Sequence, residues 1–315
     1  MFLCLRLSPL LTNIPEGLIV IGLLGGTTAV IAGLTGLVQN DIKRIIAYST
    51  IAQVGYIFIA LGLGEFNTAL QHLINHAFFK ALLFLSAGSL IHGFKDLQDP
   101  RKYGGLLHYI PLSYVCMLIG SLSLIAIPFL TGFYSKDLIL ELALAQYTLG
   151  SLVIYSLGVL AAFLTAFYSF RLLHLVFIGS TNGSLAHYSK VHEGSILLLM
   201  PILILLLLSI ILGFLLKESF GGLGSPLLST VLPTHSLITG SEFSLSTFDK
   251  MLPLIASISG AVCATLIVNT SGLYTTGAGY NVLISKFLID VIYNQLLVNK
   301  ALNLGLLTNK VLDRG

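Results

Sequence analysis

Charge is what this sequence has least of. Only 9% of its 315 residues are Asp, Glu, Lys or Arg, against 56% hydrophobic, and the mean hydropathy is +0.94. An ordinary soluble domain carries about 25% charged residues. A chain this poor in charge could not cover a water-facing surface, and the bilayer is the solvent that fits. Apolar–polar alternation is lacking too. The apolar runs continue for about 20 residues, which argues against a barrel and for helices that satisfy their backbone groups within each span. The net charge of +3 is too small to argue for nucleic acid. Cysteine is scarce: Cys4, Cys116 and Cys263 lie far apart in apolar stretches. That odd, scattered set gives no disulfide framework and no metal-ligand spacing, and it reads as small core residues. No small-residue cleavage site follows Arg6 and the short apolar start, so a signal peptide is not expected. P-loop, dinucleotide fingerprint, Cys cluster and Ser–His–Asp pattern are all missing.

What is present is a series of seven spanning segments, at about 15–38, 45–63, 68–92, 110–147, 150–178, 194–216 and 251–268. The expected fold is therefore an all-α, polytopic membrane bundle. Turn-forming stretches separate the spans, and the Gly-, Ser- and Pro-rich stretch 217–250 reads as a solvent-side loop. Successive loops alternate sides. One side receives Lys43, Arg44, Lys95, Arg101, Lys102 and Lys190; the other receives Lys217 and Lys250 together with Glu65, Glu218, Glu242 and Asp249. The positive side is expected to face the cytoplasm, or the matrix of a mitochondrion.

The fourth segment is too long for one upright span and too short for two: from Leu112 to Gln146 it would reach roughly 50 Å as a helix, against a hydrocarbon core of about 30 Å. Pro128 lies in its middle, four residues before Gly132, and proline removes a backbone donor. The expectation is one discontinuous helix broken between Ile127 and Phe133; a long, tilted, kinked helix is the alternative. In the tail, Leu283, Phe287, Leu288, Val291, Ile292 and Leu296 recur at helical spacing. Lys286, Asp290, Asn294 and Asn299 lie between them, so the segment reads as an amphipathic helix at the interface or against other proteins.

The informative residues are charges inside spans, where a lysine costs about 2.5–3.5 kcal/mol at mid-bilayer. His72, His76 and Lys80 recur every fourth residue, with Asn75 among them, and form one stripe climbing about 12 Å. Imidazoles and an amine stacked in this way can pass protons through intervening water. The alternatives are a buried network that binds helices together, or a metal site on the His pair, for which no carboxylate or Cys is present in the span. Lys136, with Asp137 beside it, follows the expected break. A lysine exchanging protons near neutrality must be desolvated or face another cation; otherwise the pair is a local ion pair at a helix end. Asp41, Lys43 and Arg44 read as a loop anchor, and Arg171 as a snorkelling side chain. From the residues alone the chain is a proton or cation translocation module, or a structural membrane subunit glued by its polar side chains.

Three stretches carry a family resemblance. Leu37–Thr50 (LVQNDIKRIIAYST), His72–Leu85 (HLINHAFFKALLFL) and Gly132–Asp137 (GFYSKD) resemble, in this order, the antiporter-like subunits of respiratory complex I. Within that family they resemble the mitochondrial chain 5 branch, strongly over 1–178 and more loosely to 315. The resemblance implies a subunit of NADH:ubiquinone oxidoreductase in the mitochondrial inner membrane that contributes part of a proton channel coupled to electron transfer. It implies Lys80 and Lys136 in the central proton path, His72, His76 and Asp137 beside them, and Asp41 and Lys43 at polar family positions. It implies no cofactor in this chain, with flavin, iron–sulfur clusters and quinone in partner subunits, and membrane-arm subunits and lipids as partners. Residues 1–178 would be the antiporter-like core, 179–268 peripheral helices and a loop, and 269–315 the start of a lateral helix on the matrix side. Family members are much longer, so companion chains are expected to carry a preceding half and a final anchoring span; a partial gene model is the alternative. A subunit of a multisubunit sodium/proton antiporter shares these motifs and is the second functional expectation.

Overall fold

A computed structural model describes residues 1–94, 96–183, 188–189, 191–220, 244–269 and 278–313. Among the described residues all regular structure is helical. The chain divides into two units, Met1–Thr270 and Ser271–Gly315.

The first unit opens with two short helices, α1 (Phe2–Arg6) and α2 (Ser8–Leu11). The long helices then follow as the hydropathy predicts. α3 (Pro15–Val38) begins with proline in its first turn, where the missing donor does no harm, and with Glu16 beside the positive end of the helix. Asp41 ends the turn after it by capping α4 (Ile42–Gly62), its side chain accepting from the Lys43 backbone N–H. α5 (Phe66–Gly93) follows a turn through Gly64. The fourth segment is two helices, α6 (Pro111–Ile125) and α7 (Phe133–Ala145). α8 (Leu149–Leu173) starts at a capping box made by Thr148 and Ser151 and runs on through one wider turn, His174–Ile178. α9 (Ile196–Phe220) and α10 (Thr247–Asn269) complete the unit. Six of these helices are long and apolar enough to cross a membrane, and α6 is a shorter apolar helix.

α3 and α4 pack so closely that a Cβ on Gly62 would sit 2.3 Å from the Cα of Gly22. α8 lies against α3 and α10, and α9 lies against α5 and α6. Among the described residues two large apolar clusters fill the interior, beside a small one of Leu82, Cys116 and Ile202. One large cluster holds Tyr56, Ile59, Phe66, Leu140 and Ala161; the other holds Ile46, Phe79, Leu83, Tyr168 and Phe177. Ser49 and Gln53 on α4, Gln71 to His76 on α5 and Thr165 on α8 lie along their helices between residues of the one large cluster and residues of the other. α9 and α10 turn most of their apolar surface outward, with only 17% and 22% of their central windows buried, which suits helices that face lipid or another subunit.

Three expectations need correction or bounding. The stretch 217–250 is not all loop: α9 carries helix to Phe220 and α10 begins at Thr247, because the apolar runs on either side extend the hydrogen-bonded ladder into the polar residues. Residues 221–243 lie outside the described residues, as do Lys95, Lys190 and Glu242 of the charge argument. The tail, the second unit, is helical but not one helix. α11 (Ala278–Ile284) is divided from α12 (Ile289–Ile292) by a kink in which Lys286, Phe287 and Leu288 all have positive φ, and wider helical turns at Tyr293–Val298 carry α12 on into α13 (Asn299–Thr308). Lys286 pairs with Asp290 across the kink.

Candidate functional site

The break between α6 and α7 organises the site. α6 ends where Ala126 turns to φ +73°, its N–H donating to Ser123 O at 3.2 Å and that of Ile127 to Leu122 O at 3.1 Å. Pro128 then blocks any continuation of the helix. Residues 131 and 132 return the chain to the interior. The Thr131 N–H donates to Ser209 O on α9, and its hydroxyl accepts from the Gly213 N–H at 3.2 Å. Gly132 lies so close to α6 that a Cβ there would sit 1.7 Å from Ser123 O, so only glycine fits. The sequence-predicted break is thus observed, beginning two residues earlier than expected.

Lys136 sits in the first turn of α7 and is 1% exposed. Its Nζ donates to Thr165 Oγ1 at 3.1 Å and to Ile125 O at 3.4 Å. Ile125 is the last residue of α6, so the ammonium meets the carbonyl end of the broken helix, where the helix dipole is negative. The Tyr56 ring lies 5.0 Å from the same nitrogen, within cation–π range. Asp137 is buried on the same turn, and among the described residues it makes no ion pair with Lys136. A local ion pair therefore does not account for this lysine.

On α5 the stripe is as the spacing predicts. His72 is fully buried, His76 and Lys80 nearly so, and the two imidazoles stack with centroids 6.3 Å apart. His72 Nδ1 lies 2.9 Å from Ser135 Oγ and Nε2 lies 3.1 Å from Gln53 Oε1. The Gln53 amide donates to Leu124 O at 3.3 Å, which turns its carbonyl oxygen to the ring. Nε2 therefore carries the hydrogen, and Nδ1 accepts from the Ser135 hydroxyl. Asn75 Nδ2 donates to Thr131 O at 3.2 Å, tying the stripe to the break. Lys80 Nζ donates to the Ser49 hydroxyl on α4. The result is a row of buried polar groups: Ser49, Lys80, His76, His72, Ser135, and then Lys136 one residue further along α7.

Asp41 and Lys43 are not brought into this row. Asp41 caps α4 and pairs with Arg44 at 3.6 Å, while the Lys43 side chain is exposed. Arg171 does not snorkel. It is 5% exposed, and its guanidinium donates to Gln39 O at 3.0 Å and to Asn40 Oδ1, clamping the end of α8 to the α3–α4 junction. Sequence reasoning missed Ser49, Gln53, Tyr56 and Thr165. A signal existed for the first two, since Ser49 and Gln53 are polar residues one turn apart in a largely apolar span.

The description of one family model, NADH:quinone oxidoreductase/Mrp antiporter, TM, matches residues 1–165. Over its whole length the chain is 47% identical to NADH-ubiquinone oxidoreductase chain 5 of Cryptococcus neoformans var. grubii, 46% identical to that of Schizophyllum commune and 42% identical to that of Aspergillus niger. It covers 49%, 47% and 50% of those proteins, so the chain spans about half the length of the curated relatives it matches. Among solved structures, the Mrp complex from Dietzia sp. DQ12-45-1b resembles it with a TM-score of 0.67 at 23% identity, over 90% of this chain and 31% of that one. A chain of the archaeal membrane-bound sulfane sulfur reductase resembles it with a TM-score of 0.55 at 25% identity, over 82% of this chain and 42% of that one.

Proposed function

This chain belongs to the NADH:quinone oxidoreductase/Mrp antiporter transmembrane family, and from that membership we propose that it forms part of the proton channel in the membrane arm of a respiratory NADH:ubiquinone oxidoreductase. The similarity to fungal chain 5 proteins along the whole chain supports the mitochondrial inner membrane as its location. Other membrane-arm subunits are its partners, together with the rest of a chain 5-like module, carried on the same polypeptide or on companion chains. Electron transfer and its flavin, iron–sulfur and quinone groups belong to those partners.

One observation carries the reading: the buried polar row joins two lysines on different helices, and one of them sits at a helix break. In the mechanism, Lys80 and Lys136 are the proton-holding groups and the imidazoles pass protons between them with water. His72 is suited to this. A proton arriving at Nδ1 turns that nitrogen into a donor to Ser135 Oγ, and the Ser135 hydroxyl swings to Gly132 O, 3.4 Å away. One hydroxyl rotation thus accompanies the change of charge. Asp137, buried one residue from Lys136, biases which proton state the lysine favours. Asp41 and Lys43 act at the positively biased end as anchors of the α3–α4 turn. Moving each charge against the membrane potential costs about 2.3 kcal/mol per 100 mV, so the row needs an external drive, which rearrangements in neighbouring subunits would supply.

A sodium/proton antiporter is the second reading, favoured by the fold likeness to the Mrp complex. Native gels of mild-detergent mitochondrial membranes separate the two. Peptides of this chain are expected to comigrate with NADH dehydrogenase activity. Migration as a small independent assembly, with sodium/proton exchange in vesicles that lack NADH, would replace the complex I reading with the antiporter.

A further inference from the structure

We propose that Glu65, Asn67 and Gln71 line a hydrated proton passage joining the Asn75–His72 level of the row to the less positively charged face of the membrane. The inference rests on the translocation reading above and adds a route to one side.

It begins from buried polar atoms. Glu65 is 3% exposed, Asn67 5%, and Gln71 and Asn75 are fully buried. Among the described residues, Glu65 Oε1, Asn67 Oδ1, both amide atoms of Gln71, and Asn75 Oδ1 have no hydrogen-bond partner. Buried polar atoms are almost always satisfied by protein or by ordered water, and water settles where several such atoms converge. These are not scattered. Asn67, Gln71 and Asn75 occupy one face of α5 on successive turns, climbing about 12 Å. Gln71 adjoins His72, and Glu65 stands where α5 begins.

The ordinary structural use of Glu65 would be to cap α5, and its side chain makes no cap hydrogen bond. Its backbone is nonetheless fixed. The N–H donates to Ala60 O, and the carbonyl accepts from the Ala69 N–H and from the Thr68 hydroxyl. Glu65 is therefore fixed at the start of α5, close in sequence to Leu63, Phe66 and Ala69 of the apolar core. Amides donate and accept without titrating, so Asn67, Gln71 and Asn75 can order water in either direction. Glu65 supplies the titrating group: burial pushes its carboxyl up to about 8, so it holds and exchanges a proton near neutrality. The step is a proton transfer only. A protonated water on one side gives a proton to the carboxylate, and the acid so formed releases that proton to water on the other side, with no other bond changed.

The test uses the assembled complex in coupled membrane vesicles, with Lys136→Met as the control for the underlying reading. Gln71→Cys is expected to react with a small, water-soluble thiol reagent added from the less positive face, at least tenfold faster than from the other. Glu65→Gln is expected to lower the proton-to-electron ratio to the level of Lys136→Met, while Glu65→Asp keeps the parent ratio. If Lys136→Met lowers the ratio but Glu65→Gln does not, or if the thiol at position 71 does not react, the passage is refuted and the central row stands. An unchanged ratio in assembled Lys136→Met would refute the translocation reading itself. Should Glu65→Gln fail to assemble, the labelling at position 71 decides alone.

Discussion

His72 holds its hydrogen on Nε2 because Gln53 is anchored at its other end, and this one tautomer leaves Nδ1 ready to take a proton. Removing the Ser135 hydroxyl leaves a buried ring nitrogen without a partner, a loss of about 1–3 kcal/mol. Ser135→Ala is therefore expected to slow coupled NADH oxidation about tenfold while the complex still assembles; Ser135→Thr, which keeps the hydroxyl, should stay near the parent rate. Glu65 gives a pH signature. Its carboxyl titrates near 8 when folded, against an ordinary value of 4.5. The unfolded chain loses that proton first, so the burial of Glu65 destabilises the fold progressively as pH rises from 4.5 to 8. Glu65→Gln is expected to raise the temperature of thermal inactivation relative to the parent, by more at the upper end of that window than at the lower. Equal gains at both ends would contradict the burial argument. At this scale the sequence was partly legible: a charge in an apolar run stands out, so His72, His76, Lys80 and Lys136 were visible. Thr165 and Tyr56 were not, because a hydroxyl or a phenol in a span is unremarkable until tertiary packing puts a lysine beside it. Glu65 read only as a loop charge.

Among the elements, the broken helix was readable because its length and Pro128 could not both be accommodated by one straight span. What the sequence could not reveal is how the break is held. Thr131 is bonded to α9, and the approach of Gly132 to Ser123 O depends on where α6 ends. Adding a methyl group at Gly132 overpacks that contact, at a cost of about 3 kcal/mol. Gly132→Ala is expected to deplete the chain from the assembled complex on native gels, whereas Phe129→Ala, at a residue 82% exposed, should not. Normal levels of an assembled Gly132→Ala complex would contradict the geometry. The tail shows the opposite case. Its apolar spacing is helical across 283–296, yet three successive residues with positive φ divide it. The spacing of apolar residues reports helix type and not continuity.

For the whole molecule, composition alone gave the solvent, and the loop charges gave a direction across it. That direction has a direct check. Lys102 is exposed in the segment between α5 and α6, on the positively biased side. In mitoplasts, Lys102→Cys is expected to resist an impermeant thiol reagent and to react only after the matrix is opened; reaction in intact mitoplasts would invert the topology. The packing of α8 against α3 and α10, and of α9 against α5, was not legible, since an apolar face in a membrane does not announce whether helix or lipid covers it. The central claim is that the two lysines and the imidazoles between them move protons. The measurement that tests it most directly is the proton-to-electron ratio of Lys136→Met in the assembled complex. The account expects a lowered ratio or blocked turnover with assembly intact, and a fully assembled mutant that pumps at the parent ratio would contradict it.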